Sequence, residues 1–170
     1  EIETAVRAGG AVREEGGRVY KCWSEANWRD RSELPMDGTD YAIIDPGIAN
    51  PCAILWVRVV KPEHREVKPG IFQDISDLWL FEEYYKRGES NIGRHAAELR
   101  DRNRALGSRP VKYFIDPWMG NKRIESLGSS TRTVMQVWKD AGIPVVPTSS
   151  KRNMYKRERF RATENYIKLG

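Results

Sequence analysis

Two apolar runs in this chain end in the same way, with an aspartate followed directly by a proline. The first is YAIIDPG, residues 41–47, and the second is KYFIDPW, residues 112–118. Short apolar runs rich in β-branched and aromatic residues predict buried strands. Proline has no N–H to donate to a ladder, so each strand must end just after its carboxylate. A carboxylate is costly at such a position unless something pairs with it, so Asp45 and Asp116 each need a partner.

The remaining patterns predict an α/β domain. Its predicted strands cover 41–45, 52–60, 77–85, 111–116 and 143–147, with a further short strand at 18–23, and its predicted helices cover 90–107, 129–141 and 152–169. Residues 61–76 are predicted to form a long polar connection. The order β-β-β-α-β-α-β-α predicts three antiparallel strands followed by right-handed parallel crossovers. The result is a mixed five-stranded sheet flanked by helices.

The first two helices are predicted from their apolar periodicity. Ser90 is the predicted N-cap of the first helix, and Gly107 marks its end. The residues expected on the buried faces are Ile92, Ala96, Leu99 and Leu106 in the first helix, and Val134, Val137, Trp138 and Ala141 in the second.

The strand order brings the two aspartates together. The first and fourth strands can lie side by side and parallel, which would place Asp45 next to Asp116 at an edge that favours ligand sites. Two close carboxylates repel unless a proton or a cation lies between them. A proton would give an acid/base pair, as in glycosidases, whereas Mg²⁺ or Mn²⁺ would give an oxygen-ligand metal site able to act on a phosphodiester. The alternative for each aspartate is a turn residue whose side chain accepts from a nearby N–H.

The distribution of charge favours a phosphate-containing substrate over a sugar. The chain has 29 Lys and Arg against 24 Asp and Glu, a net charge of +5, which permits a polyanionic partner. The predicted DNA-binding residues are Lys122, Arg123, Lys151, Arg152, Lys156, Arg157, Arg159 and Arg161. A solvated helix face is the alternative interpretation of the last six.

Other residues add little chemistry. Glu82 or Glu83 could be a further metal ligand, although a solvated position is the simpler interpretation, and Trp118 is a candidate substrate contact. The two cysteines, Cys22 and Cys52, and the two histidines, His64 and His95, lack zinc-ligand spacing. Isolated cysteines suit a reducing compartment. No apolar run approaches the roughly 18 residues of a membrane span, and no signal peptide pattern opens the chain.

Several segments together resemble the nuclease domain of the large terminase subunit of tailed bacteriophages. They are GGRVYKCW, YAIIDPGIANPCAILWV, LWLFEEYYKRGESNIGRHAAEL, VKYFIDPW and AGIPVVPTSSKRNMYKRERFRATENYIKLG, in that order. The resemblance runs from Gly17 onwards. It implies a ribonuclease H-like fold over residues 18–170, truncated at its carboxyl end, with residues 1–17 as a linker or the end of a preceding ATPase domain. No phosphate-binding loop motif occurs in the chain.

The resemblance also implies a function. The family cuts concatemeric double-stranded viral DNA during genome packaging with Mg²⁺ or Mn²⁺, in the cytoplasm of the infected bacterial host. Its partners are the terminase ATPase domain, the small terminase subunit and the capsid portal, and no membrane is involved. Asp45 and Asp116 match the first two catalytic, metal-binding acids of the family.

The third acid of the family has no match in this chain. Glu158 and Glu164 lie on the last predicted helix in a different context. The missing acid is therefore expected beyond Gly170, or is supplied by a residue of this chain that the sequence does not identify. Two alternatives to a terminase nuclease follow. One is another ribonuclease H-like enzyme, such as a junction resolvase or transposase, and the other is a non-catalytic DNA-binding or packaging module.

Overall fold

The computed structural model describes residues 25–47, 50–125 and 131–148. Residues 29–148 of this part belong to one compact unit, Arg29–Arg152, and residues 25–28 belong to a second unit. The strand predicted at 18–23 and the helix predicted at 152–169 lie outside the described residues. The description below concerns the Arg29–Arg152 unit.

The described residues form nine strands and three α-helices. The strands are β1 Gly38–Pro46, β2 Cys52–Val60, β3 Glu63–Lys68, β4 Ile71–Ile75, β5 Leu78–Lys86, β6 Lys112–Ile115, β7 Arg123–Glu125, β8 Thr131–Thr133 and β9 Val145–Pro147. The helices are α1 Ile92–Leu106, α2 Pro117–Gly120 and α3 Val134–Asp140. A short 3-10 turn at Arg31–Glu33 precedes β1.

Five of these strands form the main sheet, in the order β5-β2-β1-β6-β9. Strand β2 runs antiparallel to both of its neighbours, β1 and β5. Strand β6 runs parallel to both of its neighbours, β1 and β9. The prediction of an antiparallel meander followed by parallel crossovers, giving a mixed five-stranded sheet with helices, is therefore confirmed.

The core lies between one face of this sheet and helices α1 and α3. Alternate residues of β2 are buried, as the period of a half-buried strand requires, and Trp56 is fully buried among them. Leu99 of α1 and Trp138 of α3 pack in the same cluster. Burial of each large apolar side chain contributes about 1.5–3 kcal/mol. The apolar helix faces predicted from the sequence are confirmed, with Leu106, Val137 and Ala141 partly buried at the rim.

Helix α1 begins one residue later than predicted. Asn91, not Ser90, is the N-cap, and its side chain accepts a hydrogen bond from the N–H of Arg94 at 3.3 Å. Gly107 ends the helix in the left-handed conformation with φ 64°, as the sequence predicts for a residue without a Cβ.

The prediction that residues 61–76 form a long polar connection is wrong, because β3 and β4 form an antiparallel hairpin there. Gly70, with φ 73°, lies in its turn. The hairpin is a sheet of its own and not part of the main sheet, so most of its side chains are exposed. Phe72 is 52% exposed and stacks on His64, with ring centroids 5.3 Å apart. A strand that is exposed on both faces carries no alternation of apolar and polar residues.

The second predicted helix, 129–141, is also shorter in the structure. Residues 131–133 form β8, which pairs with β7 as a second hairpin, with Arg123 opposite Thr133. Thr133 is the N-cap of α3, and its hydroxyl accepts a hydrogen bond from the N–H of Gln136 at 3.2 Å. A threonine at this position fixes the start of the helix, because it satisfies an N–H that has no partner within the helix.

A buried ionic network joins the amino-terminal end of β1 to its surroundings. Asp40 is 7% exposed. Its carboxylate accepts two hydrogen bonds from the Arg58 guanidinium, at 2.6 and 2.9 Å, and one from the Ser108 hydroxyl at 2.6 Å. Arg58 also donates to the carbonyl of Pro35 at 2.8 Å. We call these residues the Asp40 network. It ties β1 to β2, to the segment before β1 and to the loop after α1.

Candidate active site at the carboxyl edge of the sheet

The two aspartates follow paired positions of neighbouring parallel strands. Ile44 of β1 is the register partner of Ile115 of β6, and Asp45 and Asp116 are the next residues of the two chain segments. The prediction that these strands are parallel neighbours is confirmed. Because parallel strands end at the same edge of a sheet, Asp45 and Asp116 lie side by side there.

Both aspartates also lie towards the same face of the sheet. The rings of Tyr41 and Phe114 stack on that face, with centroids 5.9 Å apart. Side chains alternate between faces along a strand, so Asp45 of β1 shares the face of Tyr41. Asp116 lies one residue beyond the end of β6, and continuing the alternation of β6 by that residue places it on the face of Phe114. Asp45 and Asp116 are both exposed. The opposite face carries Ile44 and Ile115, which are buried against the helices.

Asp116 holds a defined position because it caps α2. Its side-chain Oδ1 accepts a hydrogen bond from the N–H of Met119 at 2.8 Å, and its carbonyl accepts one from Gly120 at 2.7 Å. The turn-type hydrogen bond considered from the sequence is therefore present. This hydrogen bond leaves the carboxylate able to accept others, because an ionised carboxylate can accept about four hydrogen bonds. Within the described residues, the second oxygen, Oδ2, accepts no hydrogen bond and is available to another ligand.

The backbone of strand β1, and not a hydrogen bond of its own side chain, holds Asp45 in position. Within the described ranges its carboxylate accepts no hydrogen bond, while its carbonyl accepts one from Gly47 at 2.9 Å. Burial raises the pKa of the neighbouring Cys52 thiol to about 12, and the negative charge of Asp45 contributes to that rise. Cys52 is therefore a protonated core residue, and the donor atoms at this edge are carboxylate oxygens. Oxygen donors are the ligands that Mg²⁺ and Mn²⁺ prefer, and Mg²⁺ needs only one or two carboxylates because it keeps several waters.

A third ligand does not join the two aspartates in the described part of the chain. Among residues 25–47, 50–125 and 131–148, no three His, Cys, Asp or Glu side chains form a group that could hold a metal ion. Glu158 and Glu164 lie outside these ranges, and the position of the third acid beyond Gly170 stays a prediction.

Glu82 and Glu83, considered from the sequence as further metal ligands, lie on strand β5. Glu82 forms ion pairs with Arg102 of α1 and, at 3.5 Å, with Arg31. These contacts tie the edge strand β5 to α1, so the charge of Glu82 is compensated by protein. Glu83 is exposed on the same edge strand, and β2 lies between β5 and the strand that carries Asp45.

The two histidines contact neighbouring protein groups. His95 is 2% exposed, and its ring nitrogens lie 2.8 Å from the Tyr84 hydroxyl and 2.9 Å from the Glu89 carbonyl. His64 lies on the β3–β4 hairpin and contacts Asp74 at 2.8 Å.

Two of the predicted DNA-binding residues, Lys122 and Arg123, lie six and seven residues after Asp116, and both are exposed. The N–H of Lys122 donates to the carbonyl of Met119 at 3.1 Å, so α2 passes directly into β7. Trp118, on α2, is 77% exposed. The other predicted DNA-binding residues lie outside the described part of the chain, namely Lys151, Arg152, Lys156, Arg157, Arg159 and Arg161.

The described residues contain no helix that is both long enough and apolar enough to cross a membrane.

Comparison with known proteins gives a structural likeness only. No protein-family model matches the chain, and no curated protein matches it. A solved structure of the large terminase from a thermophilic bacteriophage (crystal form 2) matches with a TM-score of 0.57 and 13% identity, covering 90% of this chain and 32% of that one. A second crystal form of the same protein matches with a TM-score of 0.54 and 11% identity, covering 89% and 32%. The chain thus has a terminase-like α/β fold and spans about a third of the terminase chains it matches.

Proposed function

We propose that this chain is the nuclease part of a large terminase, a divalent-metal-dependent endonuclease that cuts double-stranded viral DNA during packaging. The observation that carries the proposal is the position of Asp45 and Asp116. Two exposed carboxylates follow register partners on neighbouring parallel strands and lie towards one face. Carboxylates arranged in this way repel each other, and a shared cation relieves the repulsion.

The arrangement of the sheet supports the same proposal. Numbered along the chain, the five main strands lie in the order 3-2-1-4-5, and only the second runs against the others. Three antiparallel strands followed by two parallel ones agree with the β-β-β-α-β-α-β-α order from which the ribonuclease H-like fold was predicted. The likeness to large terminase structures supports a packaging role, in which the ATPase domain, the small terminase subunit and the capsid portal are the proposed partners.

The chemistry follows from how the chain presents its carboxylates. Bound Mg²⁺ or Mn²⁺ supplies a water activated at neutral pH and charge stabilisation for a phosphodiester. The Met119 N–H orients the Asp116 carboxylate in advance, and β1 orients Asp45, so little reorganisation is required of the protein during the reaction. Lys122 and Arg123 hold the DNA backbone beside this edge. Because phosphate contacts carry no base information, cleavage is expected to depend little on sequence.

A plasmid-nicking assay tests the proposal. Supercoiled plasmid is incubated with the full chain in Mn²⁺, in Mg²⁺ and in EDTA. We expect open-circular and linear products with at least one metal and none in EDTA. Linear duplex, branched and RNA–DNA hybrid substrates are run in parallel, and a preference for branched or hybrid substrates would contradict the terminase assignment. Intact plasmid under all three conditions would contradict endonuclease activity of this chain.

One observation favours a second candidate function. The described residues hold only two acids at the edge and no three-ligand group, which suits a DNA-binding packaging module without catalysis. DNA binding that weakens steeply with salt, together with intact plasmid under every metal condition, would support this candidate.

Trp118 offers a separate prediction. A tryptophan that is 77% exposed contributes little to packing, yet it lies two residues after Asp116 in a helix held by that residue. We expect Trp118→Ala to leave the free energy of unfolding within about 0.5 kcal/mol of the parent. We also expect it to weaken duplex binding by about twofold to tenfold, since a hydrogen bond from the indole N–H to a backbone phosphate contributes about 0.5–1.5 kcal/mol.

Denaturant unfolding and fluorescence anisotropy with a labelled duplex measure these two quantities. The matched control is Phe72→Ala on the β3–β4 hairpin, where an aromatic ring is 52% exposed. Equal affinities for the two variants would contradict a DNA contact at Trp118.

A further inference from the structure

A polar cleft of about 470 Å³ lies between the β7–β8 hairpin and α3. Among the residues that the structure describes, six line it, and all six are polar or charged: Arg123, Thr131, Arg132, Thr133, Gln136 and Asp140. We call it the hairpin cleft. The side chains of these six residues offer guanidinium, hydroxyl and amide donors, and Asp140 carries the only carboxylate among them. A cleft lined by residues of this composition can bind an anion.

Its two arginines are in different electrostatic situations. Arg132 forms an ion pair with Asp140 at 2.8 Å, in which the two side chains are 49% and 45% exposed. Arg123 is exposed, and in the part of the chain described by the structure it makes no ion pair. Arg123 is thus available to an incoming anion at once, whereas Arg132 is held by a carboxylate. An exposed pair of this kind is weak, about 0.2–1 kcal/mol.

We propose that the hairpin cleft binds a backbone phosphate of duplex DNA, and that Asp140 restrains Arg132 until the phosphate takes its place. This inference rests on the proposed function. The planar fork of a guanidinium fits phosphate as well as carboxylate, so Arg132 exchanges one anionic partner for another at small cost. Arg123 makes the first contact with the phosphate. Arg132 makes the second contact, and its ion pair with Asp140 must break for it to do so.

The distance to the proposed active site supports a shared duplex. Arg123 lies seven residues after Asp116 in the sequence. Seven residues span at most about 25 Å when fully extended, and four of them are coiled in α2. One turn of B-DNA is about 34 Å long. A duplex whose scissile phosphate lies at Asp45 and Asp116 therefore presents other phosphates within reach of the cleft.

Fluorescence anisotropy of a labelled duplex, measured in EDTA with the full chain, tests the inference in the absence of cleavage. We expect Arg123→Gln and Arg132→Gln to weaken binding similarly for all sequences, and each to reduce the slope of log K against log salt by about 1. We expect Asp140→Asn to tighten binding by about twofold to fivefold, because Arg132 no longer has to leave a partner.

The chain provides a matched control in the Asp101–Arg104 pair on α1. Its atoms are 2.6 Å apart, and its side chains are 65% and 79% exposed. Asp101→Asn changes the net charge by the same amount as Asp140→Asn, so only an effect in excess of the Asp101→Asn effect counts as support. Equal affinities for these two variants, an unchanged salt slope in Arg132→Gln, or no DNA binding by the parent chain would each overturn the inference.

The outcomes also separate this inference from the proposed function. Metal-dependent cleavage combined with equal affinities for Asp140→Asn and Asp101→Asn would reject the cleft and leave the nuclease. Tighter binding by Asp140→Asn with intact plasmid under every metal condition would reject the nuclease and leave the cleft as a phosphate site of a binding module.

Discussion

Asp45→Asn and Asp116→Asn are each expected to reduce metal-dependent cleavage of plasmid DNA on the order of a thousandfold or more. The reason is that each variant loses an anionic oxygen at the site proposed to bind the metal, which is expected to cost several kcal/mol of transition-state stabilisation. Asparagine keeps the size of the side chain and removes its charge. At position 116 it also keeps a good N-cap, so the hydrogen bond from Met119 can persist. Single-turnover cleavage rates in Mn²⁺ and Mg²⁺ measure the effect.

Folding must be shown to be unchanged in these variants. Asp45 and Asp116 are exposed, so we expect the free energy of unfolding to stay within about 0.5 kcal/mol of the parent. Asp101→Asn, on the exposed side of α1, is the matched control and should cut at the parental rate. Cleavage at the parental rate by either site variant would show that the metal site has been assigned to the wrong residues.

The positions of Asp45 and Asp116 could be predicted from the sequence, because both depend on strands. The sequence YAIIDPG predicts both the strand and its end, because proline stops the ladder directly after Asp45. The same holds for Asp116. Their adjacency follows from the strand order and from the rule that parallel crossovers are right-handed. These inferences need only local patterns and chain connectivity. The pairing of Ile44 with Ile115 bears out the adjacency of the two strands, and β1 ends one residue after Asp45, at Pro46.

The part that could not be predicted depends on contacts between elements. The β3–β4 hairpin has no buried face, so its sequence carries no apolar alternation. Strands β7 and β8 are three residues each, too short for any period to be recognised. The ion pair of Arg132 with Asp140 joins residues eight positions apart, and no pattern in the sequence links them. The hairpin cleft could therefore be found only once α3 was seen to begin at Val134.

Asp40→Ala is expected to lower the free energy of unfolding by about 3 kcal/mol at neutral pH. The Asp40 network is almost fully enclosed, with the side chains of Asp40 and Arg58 only 7% and 16% exposed. Removing the carboxylate leaves the Arg58 guanidinium without its counter-charge and the Ser108 hydroxyl without its acceptor, which is more costly than the mean value of a hydrogen bond. Urea unfolding of the parent and the variant at pH 7 measures the difference. Asp101→Ala, at an exposed ion pair, should change it by less than about 1 kcal/mol.

The pH dependence separates loss of this charge from loss of packing. Burial by itself would raise the pKa of Asp40, but hydrogen bonds from Arg58 and Ser108 and the charge of Arg58 outweigh burial and hold that pKa below its ordinary value. A carboxyl with a lowered folded-state pKa stabilises the fold above its unfolded pKa of about 3.9 and loses this contribution as the pH falls through the folded value. The stability difference between parent and Asp40→Ala should therefore shrink below about pH 4. A difference that stays constant from pH 7 down to pH 3 would mean that Asp40 stabilises the fold through packing alone.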